Sequence, residues 1–229
     1  MKTPDYNHIF TNKKFQNVYE PSEDTFVLLD ALEQDLDRIR KHCHKLDSIN
    51  LLEIGTGNGV PIIFLYQLAK SISKNDQKIK ITATDVNPIA IECAKETFAR
   101  NRIETQDFQL INTDLFKNLD EKFSFILFNP PYVVSSNSEF QESQENKDLF
   151  AALSGGLDGR KLIDRFLDQV LDFLIVNGCC YLVLIDKNKP DEIISFLESQ
   201  KKMQLESAEI IFTRRAGIEL LHILRICRK

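Results

Sequence analysis

The chain has 229 residues, 43% of them hydrophobic and 28% charged, a balance and length that fit one globular domain with a sizeable core. Its formal net charge of −5 excludes a dominant non-specific nucleic-acid surface, which rests on clustered Lys and Arg. No apolar run approaches the ~18–20 residues that span a bilayer, and Met1-Lys2-Thr3-Pro4-Asp5 has no apolar signal core, so no membrane association is expected.

Residues 1–18 are polar and irregular and are expected to form a flexible N-terminal segment, mobile or draped over the body, followed by a motif and helix over 19–45. Tyr19-Glu20-Pro21-Ser22-Glu23-Asp24-Thr25 opens that helix, with Ser22 as N-cap and Glu23 and Asp24 loading its first turn with the charge the dipole favours. Phe26, Leu28, Leu29, Leu32 and Leu36 make one apolar face through about residue 42. His42-Cys43-His44 places its histidines two positions apart, on different helix faces, so no metal site is expected. The five cysteines form no CxxC pair, which fits free thiols in a reducing compartment and a cytoplasmic protein, with the nucleus as a second location.

Leu51-Leu52-Glu53-Ile54 reads as a strand that ends at Gly55-Thr56-Gly57-Asn58-Gly59, and a helix follows. Ile79–Thr84 is the next strand, ending at Asp85, and Pro88 opens a helical pattern over Ile89–Arg102. Asp107–Asn112 is a third strand, ending near Asp114. The apolar run Phe123–Phe128 is a buried strand that Asn129-Pro130-Pro131-Tyr132 stops, because proline fixes φ and donates no backbone hydrogen bond. Residues 133–158 are a long polar stretch of the kind that serves as a lid or binding loop. Lys161–Ile175 is read as a helix closed by Gly178, then come strand Cys179–Ile185, helix Asp191–Gln200, and a hairpin of Leu205–Thr213 with Glu219–Ile226. Strands alternating with helices predict a single α/β domain over 1–229, doubly wound and mainly parallel, with its last two strands antiparallel to each other.

Three strands in succession thus end in ligand-competent residues. Glycines between strand and helix let the backbone approach a ligand under the free N–H groups of the helix, although the spacing is G-x-G-x-G rather than G-x-G-x-x-G. Asp85 is placed for two ribose hydroxyls, and Asp114 for an exocyclic amine. Asn129 and the carbonyl of Pro130 offer two acceptors side by side, which suit a planar NH2.

Glu53-Ile54-Gly55-Thr56-Gly57-Asn58-Gly59, Asp85, Asp114 and Asn129-Pro130-Pro131-Tyr132 resemble, in order and spacing, the Rossmann-like S-adenosylmethionine-dependent methyltransferases. The Asn-Pro-Pro-Tyr form belongs to those that methylate a nitrogen conjugated to a π-system. Tyr19–Thr25 and Ser154-Gly155-Gly156-Leu157-Asp158-Gly159-Arg160 narrow the resemblance to the HemK-related eukaryotic enzymes that methylate the glutamine of the Gly-Gly-Gln tripeptide in the class I translation termination factor. It runs from about Tyr19 to the C-terminus; Ser22 stands where the common family form has Ala.

The resemblance implies a seven-stranded mixed sheet of order 3-2-1-4-5-7-6 with the last strand antiparallel. It also implies a cofactor site formed by Thr25, Glu53, Gly55, Thr56, Gly57, Gly59, Asp85, Val86, Asp114, Leu115 and Asn129. Asn129, Pro130, Pro131 and Tyr132 would bind the substrate amide, with Asn129, Pro130 and Tyr132 as the catalytic group. A small zinc-binding activator subunit is implied at the edge strand near 107–111, where an exposed edge invites pairing. Rival readings are N6-adenine methylation of nucleic acid, which needs base flipping and a basic groove, methylation of a protein lysine, and a non-catalytic cofactor-binding scaffold.

Overall fold

A computed structural model of the chain describes residues 1–74, 76–136, 138, 141 and 152–229. Seven strands form the main sheet: β1 (Ser48–Ile54), β2 (Lys78–Asp85), β3 (Phe108–Asn112), β4 (Phe123–Phe128), β7 (Leu174–Ile185), β8 (Leu205–Ala216) and β9 (Glu219–Arg228). Their spatial order is β3-β2-β1-β4-β7-β9-β8. Counted along the chain this is 3-2-1-4-5-7-6, and β9 runs antiparallel to both of its neighbours. The short strands β5 (Val133–Val134) and β6 (Ser154–Gly156) form a separate parallel pair. The lid expected over 133–158 lies in large part outside the described residues.

The register decides where the site sits. Ile54 of β1 pairs with Thr84 of β2 and with Phe128 of β4, and Asp85 of β2 pairs with Asn112 of β3. The carboxyl ends of four strands therefore align along one edge, where open α/β sheets hold their ligands. β4 is buried along its whole length, as its unbroken apolar run requires of a central parallel strand.

Helices α2 (Glu23–Gln34), α3 (Leu36–Cys43), α4 (Val60–Ile72) and α5 (Pro88–Arg100) cover one face, burying Leu28, Leu32, Ile63 and Phe98. Helices α6 (Lys161–Leu167), α7 (Val170–Phe173) and α8 (Pro190–Gln200) cover the other through Phe166, Leu171 and Leu197. Among the described residues no helix is long and apolar enough to cross a membrane.

Three sequence expectations are corrected. The helix expected to run to about residue 42 breaks at Asp35, whose carboxylate accepts from Tyr181 Oη at 2.8 Å and Arg225 Nη1 at 2.5 Å. Anchoring that side chain to β7 and β9 turns the chain there. Gly178 does not close a helix: β7 already starts at Leu174, and Gly178 lies at a register shift against β4. A Cβ at Gly178 would stand 2.9 Å from the Ile175 carbonyl oxygen and 3.1 Å from that of Phe123, so the close strand approach selects glycine. Residues 1–18, expected to be flexible or draped over the body, take the draped form: they include a helical turn, α1 (His8–Thr11), and bury Ile9, Phe15 and Val18 against Ala90 and Cys93 of α5. Asn101 also exchanges two hydrogen bonds with the Asp5 backbone, at 2.8 and 2.9 Å.

His42 serves packing, and His44 bonds to backbone at the surface. His42 stands edge-on to Phe125, and burial lowers its pKa to about 4, while His44 Nε2 lies 2.9 Å from the Ile72 carbonyl. All five cysteines are free and buried. Among the described residues no cluster of His, Cys, Asp or Glu could hold a metal ion.

Candidate active site

A pocket opens at the carboxyl ends of β1, β2 and β4, and the expected site residues converge on it. The glycine turn contributes Gly55, Thr56 and Gly57; β2 and its loop contribute Asp85 and Val86. The loop after β3 brings Asp114 and Leu115. The stop after β4 supplies Asn129, Pro130, Pro131 and Tyr132, and α2 and β1 add Thr25 and Glu53. Gly59 alone of the expected set is not in the lining. It has φ +78°, and a Cβ there would stand 3.2 Å from Ala94 and Phe98, so this glycine lets α4 pack on α5 rather than facing a ligand.

The glycine turn is fixed by polar groups on both flanks. Gly57 N–H donates to Asp85 Oδ2 at 2.8 Å, and Asn87 N–H donates to Asp85 Oδ1 at 2.8 Å. Burial raises the Asp85 pKa, and these backbone donors pull the other way by favouring the carboxylate. Glu53 lies deeper, with Thr56 Oγ1 donating to its Oε2 at 2.6 Å, and burial pushes its pKa up to about 8. Gly57 has φ +51°, and a Cβ there would meet nothing within 4 Å, so the turn faces open pocket. Asp114 is exposed and paired with Arg165 at 2.7 Å. Such an exposed pair is worth about 0–1 kcal/mol and leaves the carboxylate free to exchange partners.

The substrate side is organised by a residue that sequence reading assigned only to the helix dipole. Asp24, 4% exposed, receives Asn129 Nδ2 at 3.0 Å, Tyr132 Oη at 2.9 Å and Tyr19 Oη at 3.1 Å, all on Oδ2. Its Oδ1 accepts the Thr25 N–H at 2.7 Å. Burial and then the Asp24 charge raise the pKa of both tyrosines, that of Tyr19 to about 12, so both hydroxyls remain donors at neutral pH. Asn129 Oδ1 is buried, and among the described residues no donor reaches it.

The turn is also held from below. Buried Asn188 donates from Nδ2 to the carbonyls of Tyr132 and Asp158, each at 3.1 Å, and its Oδ1 accepts the Ile185 N–H at 2.8 Å. A Cβ on Gly155 would come within 2.6 Å of the Pro131 carbonyl oxygen. On Gly159 it would come within 2.0 Å of the Tyr132 carbonyl oxygen. These contacts explain Gly155 and Gly159: at these two positions only a residue without a side chain fits beneath the proline turn. Asp24, Asn188 and Arg165 are the residues sequence reasoning missed. Asp24 carried a visible signal, as an acid next to the predicted Thr25; Asn188 and Arg165 carried none.

Comparison with known proteins agrees with this geometry. Residues 25–146 match the family model of the methyltransferase small domain. The human protein named methyltransferase HEMK2 is 36% identical, over 99% of this chain and 96% of that protein. The Schizosaccharomyces pombe protein named eRF1 methyltransferase catalytic subunit mtq2 is 34% identical, over 94% of this chain and 91% of that protein. The solved E. cuniculi Mtq2 in complex with Trm112, described as responsible for methylation of the eRF1 translation termination factor, superposes with a TM-score of 0.62. That match spans 93% of this chain and 99% of that one at 24% identity. With its sheet order, its glycine turn and its Asn-Pro-Pro-Tyr stop in one pocket, the chain belongs to the methyltransferase small-domain family.

Proposed function

We propose that this chain transfers a methyl group from S-adenosylmethionine to the side-chain amide of the glutamine in the Gly-Gly-Gln tripeptide of a class I termination factor. The observation that carries this reading is the buried, unpartnered Asn129 Oδ1 at the end of β4, beside the carbonyl-bearing Pro130. An acceptor buried without a partner costs about 1–3 kcal/mol, so the site is built for a donor that arrives with substrate. A planar amide NH2 brings two such donors. The two relatives whose printed names carry methyltransferase activity over nearly their whole length, one of them toward eRF1, support the same reading.

The pocket fits the cofactor on its own terms. The open cradle at Gly57 admits a ligand against backbone, and Asp85 at the end of β2 presents a carboxylate to ribose hydroxyls. Asp114 and Leu115 would hold the adenine, and Thr25 and Glu53 the methionine side. When bound, S-adenosylmethionine supplies an electrophilic methyl group.

Everything else is positioning. An amide nitrogen is a poor nucleophile because its lone pair is delocalised into the carbonyl. Asn129 Oδ1 and the Pro130 carbonyl each accept one N–H, which turns the remaining nitrogen face toward the methyl group and favours the positive charge that grows on nitrogen. Tyr132, its hydroxyl fixed on Asp24, packs over the amide plane. No strong base is needed at the start, since the proton leaves after transfer. β3 ends the sheet among the described residues, and its open side would receive a small zinc-binding activator subunit.

The test is transfer of labelled methyl from S-adenosylmethionine to purified termination factor by enzyme co-expressed with the activator. Label is expected in the factor and absent after Gln→Ala in the tripeptide; Asn129→Ala is expected to lower the rate roughly 10²–10³-fold. Label that survives both changes removes glutamine as the substrate and turns the search to lysine or nucleic-acid amines.

A further inference from the structure

We infer that Asp24 is a positioning residue that fixes which end of the Asn129 amide faces substrate, and thereby makes the site select an amide over a carboxylate. The inference rests on the glutamine reading above. Asn129 alone does not specify that choice, because a primary amide carries an acceptor and a donor of nearly equal size, and a rotation of about 180° about its last bond exchanges them.

Asp24 breaks the tie. As a carboxylate it accepts and cannot donate, so only Nδ2 can face it, and the observed contact is 3.0 Å. Oδ1 is thereby directed away from Asp24 and is the buried atom without a partner. The carboxylate is itself held against rotation. Thr25 N–H binds one oxygen at 2.7 Å, while Tyr19 and Tyr132 hydroxyls bind the other at 3.1 and 2.9 Å. At 4% exposure water does not compete for it. Asn129 and Asp24 are 105 positions apart, so the pair exists only because the start of α2 is packed against the end of β4.

The consequence is a specificity that the substrate-contacting residues do not possess by themselves. With Oδ1 turned away from Asp24 on a residue that lines the pocket, a glutamine NH2 finds an acceptor, whereas a glutamate side chain in the same place sets oxygen against oxygen. In Asp24→Asn the new amide can donate to Asn129 Oδ1 and so stabilise the turned form, which presents Nδ2 to substrate.

The experiment compares wild type and Asp24→Asn, each co-expressed with the activator, on termination factor carrying Gln or, as an inhibitor, Glu in the tripeptide. For Asp24→Asn we expect kcat to fall roughly 10–100-fold, with the dissociation constant of S-adenosylhomocysteine within about threefold of wild type. The ratio of Glu-form to Gln-form dissociation constants is expected to drop by about tenfold. A merely structural role would weaken both forms alike and leave that ratio unchanged. A second measurement needs no Asp24 variant: the Asn129 side-chain NH2 resonances of wild type, assigned by their loss in Asn129→Ala, are expected to exchange slowly with solvent. Fast exchange there, or an Asp24→Asn enzyme with wild-type kcat and ratio, overturns the proposal. Should wild type fail to methylate the Gln form at all, the substrate reading fails instead, and the exchange measurement still decides the Asn129–Asp24 contact.

Discussion

One glycine-rich turn lines the pocket and another packs beneath its proline turn, and they differ in what fills the space a side chain would occupy. At Gly57 a Cβ would meet nothing within 4 Å, and at Gly55 only the Phe128 ring, at an ordinary 3.6 Å. At Gly155 and Gly159 the same atom would stand 2.6 and 2.0 Å from backbone oxygens of the proline turn. The first turn keeps a space open for a ligand, and the second fills a space with protein. Similar composition therefore serves recognition in one place and support in the other, and substitution should separate the two.

The largest effect is expected where support is broken. Gly159→Ala forces a methyl group onto the Tyr132 carbonyl and the Asn188 amide at φ +65°. Overpacking and left-handed strain together put the loss of stability at roughly 3 kcal/mol, or about 6–12 °C in melting temperature, with activity lost as the turn shifts. A melting curve within 2 °C of wild type, to within about 1 kcal/mol, would show that the turn can yield. Asp85→Ala removes the acceptor of Gly57 N–H and the expected ribose partner while leaving the supporting turn intact. Calorimetric titration with S-adenosylhomocysteine should show affinity down by about 10–100-fold, since hydrogen bonds to a charged group are worth about 1.5–3 kcal/mol.

Gly57→Ala sharpens the contrast directly. With φ +51° and no steric neighbour it should cost only about 1 kcal/mol of stability, yet reduce cofactor affinity about tenfold because the methyl group enters the cradle. Equal melting losses for Gly57→Ala and Gly159→Ala would erase the distinction. The last expected effect is a pH dependence rather than a loss on substitution. Because burial raises the Glu53 pKa to about 8 in the folded chain, the folded state keeps a proton that the unfolded state loses above the ordinary value of 4.5. Wild-type stability should therefore fall as pH rises from about 5 to 8, by at most about 1.4 kcal/mol per pH unit. Glu53→Gln, which still accepts from Thr56, should gain on wild type over that range in melting temperature; a constant difference would place the ionisation elsewhere.

Much of the fold was legible because its signals are local. The apolar run Phe123–Phe128, the prolines that end it and the glycines after Ile54 each express backbone geometry over a few residues, and the strands they delimit stand where expected. The seven-strand order came from resemblance, and the structure has it. Less legible were features set by neighbours far along the chain. Gly178 looked like a helix stop because glycine commonly is one; its place in β7 reflects the approach of Phe123 and Ser124, which no local pattern records. Gly59 looked like a third cofactor glycine, and the helix α5 it packs against begins nearly thirty positions later.

The amino-acid sequence by itself determined most of the strands, the glycine turn after β1, the proline stop after β4 and the identities of Asn129, Asp85 and Asp114 at strand ends, since hydrophobic period, proline and glycine act within a few bonds. Only the tertiary structure decided what Asn129 can do. The amide becomes a directed acceptor when packing carries Asp24 to its other side, and a contact across 105 positions is set by the burial of α2 against the sheet, not by any residue's own preference.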